Sequence, residues 1–156
     1  MSETRTPRPA IPLAATAQTV ARNVHRLRKA RGLTVYALAQ ALRDVGRSIS
    51  ADAVCKIENA ARSDAKHVRR VDVDDLMALA VVLGVSPSAL LLPLVDDPAT
   101  TVEITGAGTV SANEAWDWMD GRRRLDRPCA DLNTAALEFA LHSRPPIRRS
   151  REIGGS

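Results

Sequence analysis

The sequence predicts an all-α protein: a bundle of five short helices followed by a small, mostly helical C-terminal extension. Two observations carry that expectation. Between Val20 and Leu92, apolar residues recur at helical spacing, so each segment can turn one stripe toward a shared core. Along the same stretch, residues that start helices (Thr34, Ser50, Asp74, Ser86) and glycines that stop them (Gly32, Gly46, Gly84) alternate at intervals of one short helix. With two Trp, one Tyr and one Phe in 156 residues, such a core rests on Leu, Val, Ile and Ala.

Residues 1–15 hold Pro7, Pro9 and Pro12 without periodicity and read as a flexible arm. Val20, Val24 and Leu27 then fall at i, i+4 and i+7, predicting a first amphipathic helix over 17–30. Thr34 caps a second helix with an apolar face of Leu38, Ala41, Leu42 and Val45, ending near Gly46. Ser50 caps a short third helix, with Val54 and Ile57 inward. After a basic connection, "VDVDDLMALAVVLG" predicts a fourth helix capped by Asp74, with Leu76, Leu79, Ala80 and Leu83 packing and Gly84 closing it. In "SPSALLL", Ser86 as cap and Pro87 at the first helical position give a fifth. Residues 16–93 are therefore expected to form one domain.

Beyond Pro93 the pattern loosens. "TTVEIT" alternates like a strand, "GAG" at 106–108 is a turn, and Ser111 starts a helix through Asp120. A last helix is expected from Asp131 to His142, with a small region over 100–143 and a disordered basic tail over 144–156.

Charge is strongly segregated. Residues 1–70 carry 14 Lys or Arg against 5 acids, residues 71–120 carry 9 acids and no base, and residues 121–156 carry 8 bases against 4 acids. A basic first half is what a nucleic-acid-facing module presents, although a merely solvated basic surface has the same composition. The acidic middle should face away from any polyanion. Cys55 and Cys129 lack metal-ligand spacing, and no apolar run reaches membrane-spanning length, so a cytoplasmic protein without metal or cofactor is expected. His25, His67 and His142 belong to no nucleophile–base arrangement, so the chain is not expected to be an enzyme.

Helix, turn and short helix over "GLTVYALAQALRDVGRSISADAVCKIENA", with "LR" at 27–28 and "LMALAVVLGVSPSALL" at 76–91, resemble the Cro/CI-type helix-turn-helix family, often called XRE. The resemblance covers about half the chain, Val20 to Leu92, and is similar to an actinobacterial or actinophage subgroup in its extra "RDVGR". It implies a five-helix Cro/CI-like domain that binds a double-stranded DNA operator. The implied function is sequence-specific transcriptional regulation, most simply repression, as by a phage or prophage immunity repressor. The alternative is an antitoxin or adaptor that uses the fold to hold a protein.

An α-helix fits the major groove and reads bases from its N-terminal positions. On the third helix those positions are Ala51, Asp52, Ala53 and Lys56. Lys56 donates to guanine or to a phosphate. Asp52 accepts from cytosine or is simply a carboxylate favoured at a helix start. Ser50 and Thr34 cap their helices and, by the resemblance, also lie beside phosphates. Asn59, Arg62 and Lys66 follow the reading helix and would clamp the backbone, and the longer second helix or turn brings Arg43 and Arg47 near it. Arg28 and Glu58 match the family's partly buried ion pair. Val35 replaces a DNA-contacting Gln of many relatives, and Ala60 replaces the usual Gly. Arg122, Arg123 and Arg124 are a second DNA contact, an interdomain clamp or a solvated linker. Trp116 and Trp118 lie two apart, so one is expected in the core and the other on a docking surface. The family often binds as dimers, but no dimer seam stands out, so a homodimer and a monomer with two DNA-contacting regions both remain open.

Overall fold

The computed structural model describes residues 13–126 and 132–150. Its elements are α1 (Ala15–Ala30), α2 (Val35–Asp44), α3 (Ala51–Asn59), α4 (Val73–Leu83), α5 (Pro87–Leu91), β1 (Thr101–Ile104), β2 (Gly108–Ser111), α6 (Ala112–Met119), α7 (Leu132–Ser143) and α8 (Pro146–Ser150). The all-α expectation is corrected by β1 and β2, which pair antiparallel with Val102 opposite Val110. The hairpin is built by "TTVEIT", "GAG" and the three residues after it, where Gly106 and Gly108 take positive φ.

Helices α1 to α5 pack around one core. Val24, Leu38, Leu42, Ile49, Val54, Ile57, Leu79, Leu83 and Leu90 are fully buried in one aliphatic core. Thr34 and Ser50 cap α2 and α3, their side chains accepting from the backbone N–H of Ala37 and Ala53 at 3.0 and 3.1 Å. The cap of α4 is Asp72 rather than Asp74, its carboxylate accepting from the Asp75 N–H at 2.7 Å. Asp74 instead stands in the first turn. Gly84 ends α4 in the left-handed region at φ 65°, closing the helix as expected. Val45, expected on the apolar face of α2, lies beyond its last turn and is exposed.

A second, smaller core joins the hairpin to α6: Leu92, Val102, Ile104, Ala112 and Ala115, with Trp116, Trp118 and Met119 half-buried against it. Both tryptophans therefore pack on this core, which corrects their expected division. The indole N–H of Trp116 donates to the Pro93 carbonyl at 3.1 Å. This unit is tied to α1. Thr16 and Thr105 exchange N–H to hydroxyl bonds of 3.2 and 3.0 Å, and buried Asn23 donates to the carbonyls of Leu90 and Leu92 at 3.0 and 2.8 Å. Part of the tail expected to be disordered is helical, as α8. Of the arm expected over 1–15, Ala15 already begins α1, and residues 1–12, like 127–131 and the last six residues, lie outside the described residues.

Candidate nucleic-acid interface

The side chains that form this surface are placed by the way α3 is held. Its first turn starts from the Ser50 cap, and Val54 and Ile57 anchor its inner face in the core. At one end the Arg28–Glu58 pair fastens it to α1: Arg28 Nε and Nη2 reach the two Glu58 carboxylate oxygens at 2.5 and 2.8 Å. Arg28 also donates to the Leu33 carbonyl at 2.8 Å, and His25 Nδ1 lies 2.7 Å from Glu58 Oε2. Burial alone would raise the Glu58 pKa. Hydrogen bonds from Arg28 and His25, and their charges, outweigh it and hold the carboxyl below its usual value.

On the other side, the connection from α3 to α4 folds back, the Arg69 N–H donating to the Lys56 carbonyl at 3.1 Å. Asp75, only 1% exposed, gathers two arginines there: Arg47 Nε at 2.7 Å and Arg69 Nη2 at 3.0 Å. Arg47 also meets Asp72 at 2.7 Å. Arg47 is therefore a strut between the α2–α3 turn and α4, and its guanidinium is not presented as a free phosphate ligand. Its pKa is raised by the hydrogen bond to Asp75, against a smaller effect of burial.

With both ends fixed, α3 turns Asp52, Lys56 and Asn59 outward at i, i+4 and i+7, one row on one face, with Ala51 half-exposed in the first turn. Ala53 is corrected: it is buried against the core, so it meets no base. Lys56 Nζ and Asp52 Oδ2 pair at 2.7 Å, so the charges expected to read bases neutralise each other in the free protein. Around this row, Arg43 is exposed and donates to Gln40 at 2.6 Å, Arg62 pairs with Asp64 at 3.3 Å, and Lys66 is exposed. Val35 is half-buried on the core. Cys55, half-buried, lines a depression of about 390 Å³ with Arg22, His25, Glu58, Asn59 and Arg62.

Arg122, Arg123 and Arg124 follow α6, away in sequence from this row. Arg123 meets Glu114 at 3.3 Å and Asp126 at 3.7 Å, and Arg122 approaches Asp120 at 3.9 Å. Arg124 lines a depression with Thr101, Glu114 and Asp126. These arginines are thus set among acids of their own unit. Sequence reasoning missed Asp75 as the shared partner of Arg47 and Arg69, because nothing local in the chain links Arg47 to a carboxylate 28 residues away.

Among the described residues, no three His, Cys, Asp or Glu side chains are grouped to hold a metal ion, and no helix is long and apolar enough to cross a membrane. No family model matches the chain, and no curated protein matches it. Among solved structures, a hydroxypropylphosphonic acid epoxidase from S. wedmorenis aligns with 22% identity over 60% of this chain, with a TM-score of 0.40. The alignment spans 41% of that protein's own length, and a likeness of this degree carries no argument about fold or activity.

Proposed function

We propose that the protein is a sequence-specific double-stranded DNA-binding transcriptional regulator of the Cro/CI type, acting in the cytoplasm as a repressor. One observation carries the reading: a short helix capped by Ser50 and fixed at both ends presents a single outward row of Asp52, Lys56 and Asn59, with half-exposed Ala51 in its first turn. A helix so mounted fits the major groove, where its N-terminal side chains meet base edges. Lys56 leaves Asp52 to donate to guanine, and Asp52 is freed to accept from cytosine. Arg43, Arg62 and Lys66 supply cations for phosphates, which position the protein without reading sequence. Thr34 and Ser50, at helix N-termini, add hydroxyl and backbone donors beside the backbone. No catalytic step belongs to this reading, and an immunity repressor of a phage or prophage is one regulator of this kind.

The test is selection of bound duplexes from a random pool at near-physiological salt, followed by sequencing. Enrichment of a defined site supports the reading. Absence of any enriched sequence overturns it in favour of an antitoxin or adaptor that binds protein.

A further inference from the structure

We propose that the groove between α1 and the free edge of β1 binds an extended peptide segment of a partner protein, which adds a third strand to the hairpin and sets an acidic residue against Arg22. Among the described residues no strand lies beyond β1. Which backbone groups this leaves unpaired follows from the register. Along an antiparallel pair, residues alternate between exchanging hydrogen bonds with the facing strand and pointing their backbone groups away from it. The Ala112 N–H donates to the Thr100 carbonyl at 2.8 Å, and in the same register Val102 stands opposite Val110 and Ile104 opposite Gly108. Thr100, Val102 and Ile104 are therefore the residues that turn their backbone groups to β2. The N–H and C=O of Thr101 and Glu103, at the positions between, point away from β2 along the outer edge.

That edge borders a groove of about 500 Å³. One wall is α1, through Gln18, Thr19 and Arg22, and the other is Thr100 to Glu103 in unbroken succession. Alternate side chains of a strand point to opposite faces, so consecutive residues line one groove only along the strand's edge. The four residues of β1 run for about 13 Å, enough for about three or four residues of an added strand. The walls are already fixed to each other. Toward one end Thr16 and Thr105 exchange their two hydrogen bonds, and toward the other Asn23, beside Pro93, donates to the carbonyls of Leu90 and Leu92. A peptide therefore enters a preformed site, which lowers the ordering cost of binding.

The chemistry of the two walls selects the occupant. Unpaired donors and acceptors along β1 match the main chain of an extended peptide, a mode in which backbone pairing gives affinity and side chains give specificity. On the α1 wall, exposed Arg22 donates to the Thr19 hydroxyl at 2.9 Å and meets no carboxylate among the described residues. Glu103, on the opposite wall, turns its carboxylate across the hairpin to the Thr109 hydroxyl. An acidic residue of the peptide supplies the charge that Arg22 lacks. Proline is excluded where the peptide pairs with β1, because it has no N–H to donate. The inference does not depend on DNA binding and stands or falls independently of it.

A random library of short peptides displayed on phage, selected on the immobilised full chain without DNA, tests it. Enriched peptides are expected to carry an acidic residue within a proline-free stretch. The best of them, made synthetically, should shift the backbone amide NMR signals of Thr101 and Glu103. Methylating its pairing backbone nitrogens should weaken binding by about tenfold, as should Glu103→Pro, which removes an outward N–H where an edge strand tolerates proline. Arg22→Glu, with unchanged circular dichroism, should weaken acidic peptides by about tenfold or more. If Glu103→Pro does not fold, the methylated peptide on the wild type carries the same test. No enriched peptide, a bound peptide that leaves Thr101 and Glu103 unshifted, or a methylated peptide that binds as tightly would overturn the proposal. Enriched peptides that match this chain's own sequence would overturn it too, by making the occupant a second copy.

Discussion

Removing Arg28 tests how α3 is held, and its cost follows from the contacts it makes. The Arg28 and Glu58 side chains are 8 and 9% exposed, and the pair spans α1 to the last turn of α3. Arg28→Met takes two charge-assisted hydrogen bonds from Glu58 and one from the Leu33 carbonyl. His25 still reaches Glu58 at 2.7 Å, but its side chain is half-exposed and offers partial relief. Stranding one member of a buried pair typically costs about 3–5 kcal/mol, and the His25 contact moves the expectation to the lower end, about 3 kcal/mol. Replacing both members by apolar residues (Arg28→Met with Glu58→Leu) leaves no orphaned charge and should recover most of that loss. Urea unfolding of the wild type, both single variants and the double variant, followed by circular dichroism at 222 nm, completes the cycle. A single-variant loss under about 1 kcal/mol, or losses that merely add in the double variant, would refute the claim that this pair fastens α3.

Three further outcomes are expected. Ser50→Ala should lower stability by about 1 kcal/mol, read as a shift of the urea midpoint at unchanged slope, because the Ala53 N–H loses its acceptor at the start of α3. Asp75→Asn should destabilise by about 2–3 kcal/mol, less than a fully enclosed pair, since Arg47 and Arg69 are each about one-third exposed and can turn to water. The folded pKa of Glu58 lies below its unfolded value, so its contribution is present above about pH 4.3 and is lost as pH falls through the lower folded value. In urea titrations below about pH 5, Glu58→Gln should therefore lose stability less steeply than the wild type.

Much of this architecture was legible in the chain because its signals are local. Helical spacing and capping residues placed α1, α2, α3 and α5 within a residue or two of their positions, and alternation in "TTVEIT" marked β1. Failures came where two local signals compete or where partners are distant. Asp72 and Asp74 are both plausible caps by type. Asp72 wins because Val73 is already helical and Asp72 can accept from the Asp75 N–H while pairing with Arg47. The Ala53 misreading had a usable warning: Ala53 precedes Val54 and lies four residues before Ile57, so it shares their inward stripe. β2 is short, and its Gly-Thr-Val-Ser carries little alternation until β1 pairs with it. The Arg47–Asp75–Arg69 strut was invisible, because a lone carboxylate in an acidic helix start reads as solvated until the fold buries it.

The central claim is that α3 reads base pairs through Lys56, and affinity for a selected duplex tests it most directly. Binding of wild type, Lys56→Ala and Lys56→Ala with Asp52→Ala is measured by fluorescence anisotropy on that duplex and on a scrambled one, at two salt concentrations. Asp52→Ala in the double variant removes the carboxylate that Lys56→Ala alone would leave unpaired at the groove. The account predicts that both Lys56 variants lose about 1–3 kcal/mol on the selected site, with little change on the scrambled duplex. Equal loss on both duplexes with a shallower salt dependence would make Lys56 a phosphate contact, and no loss on either would remove α3 from the interface.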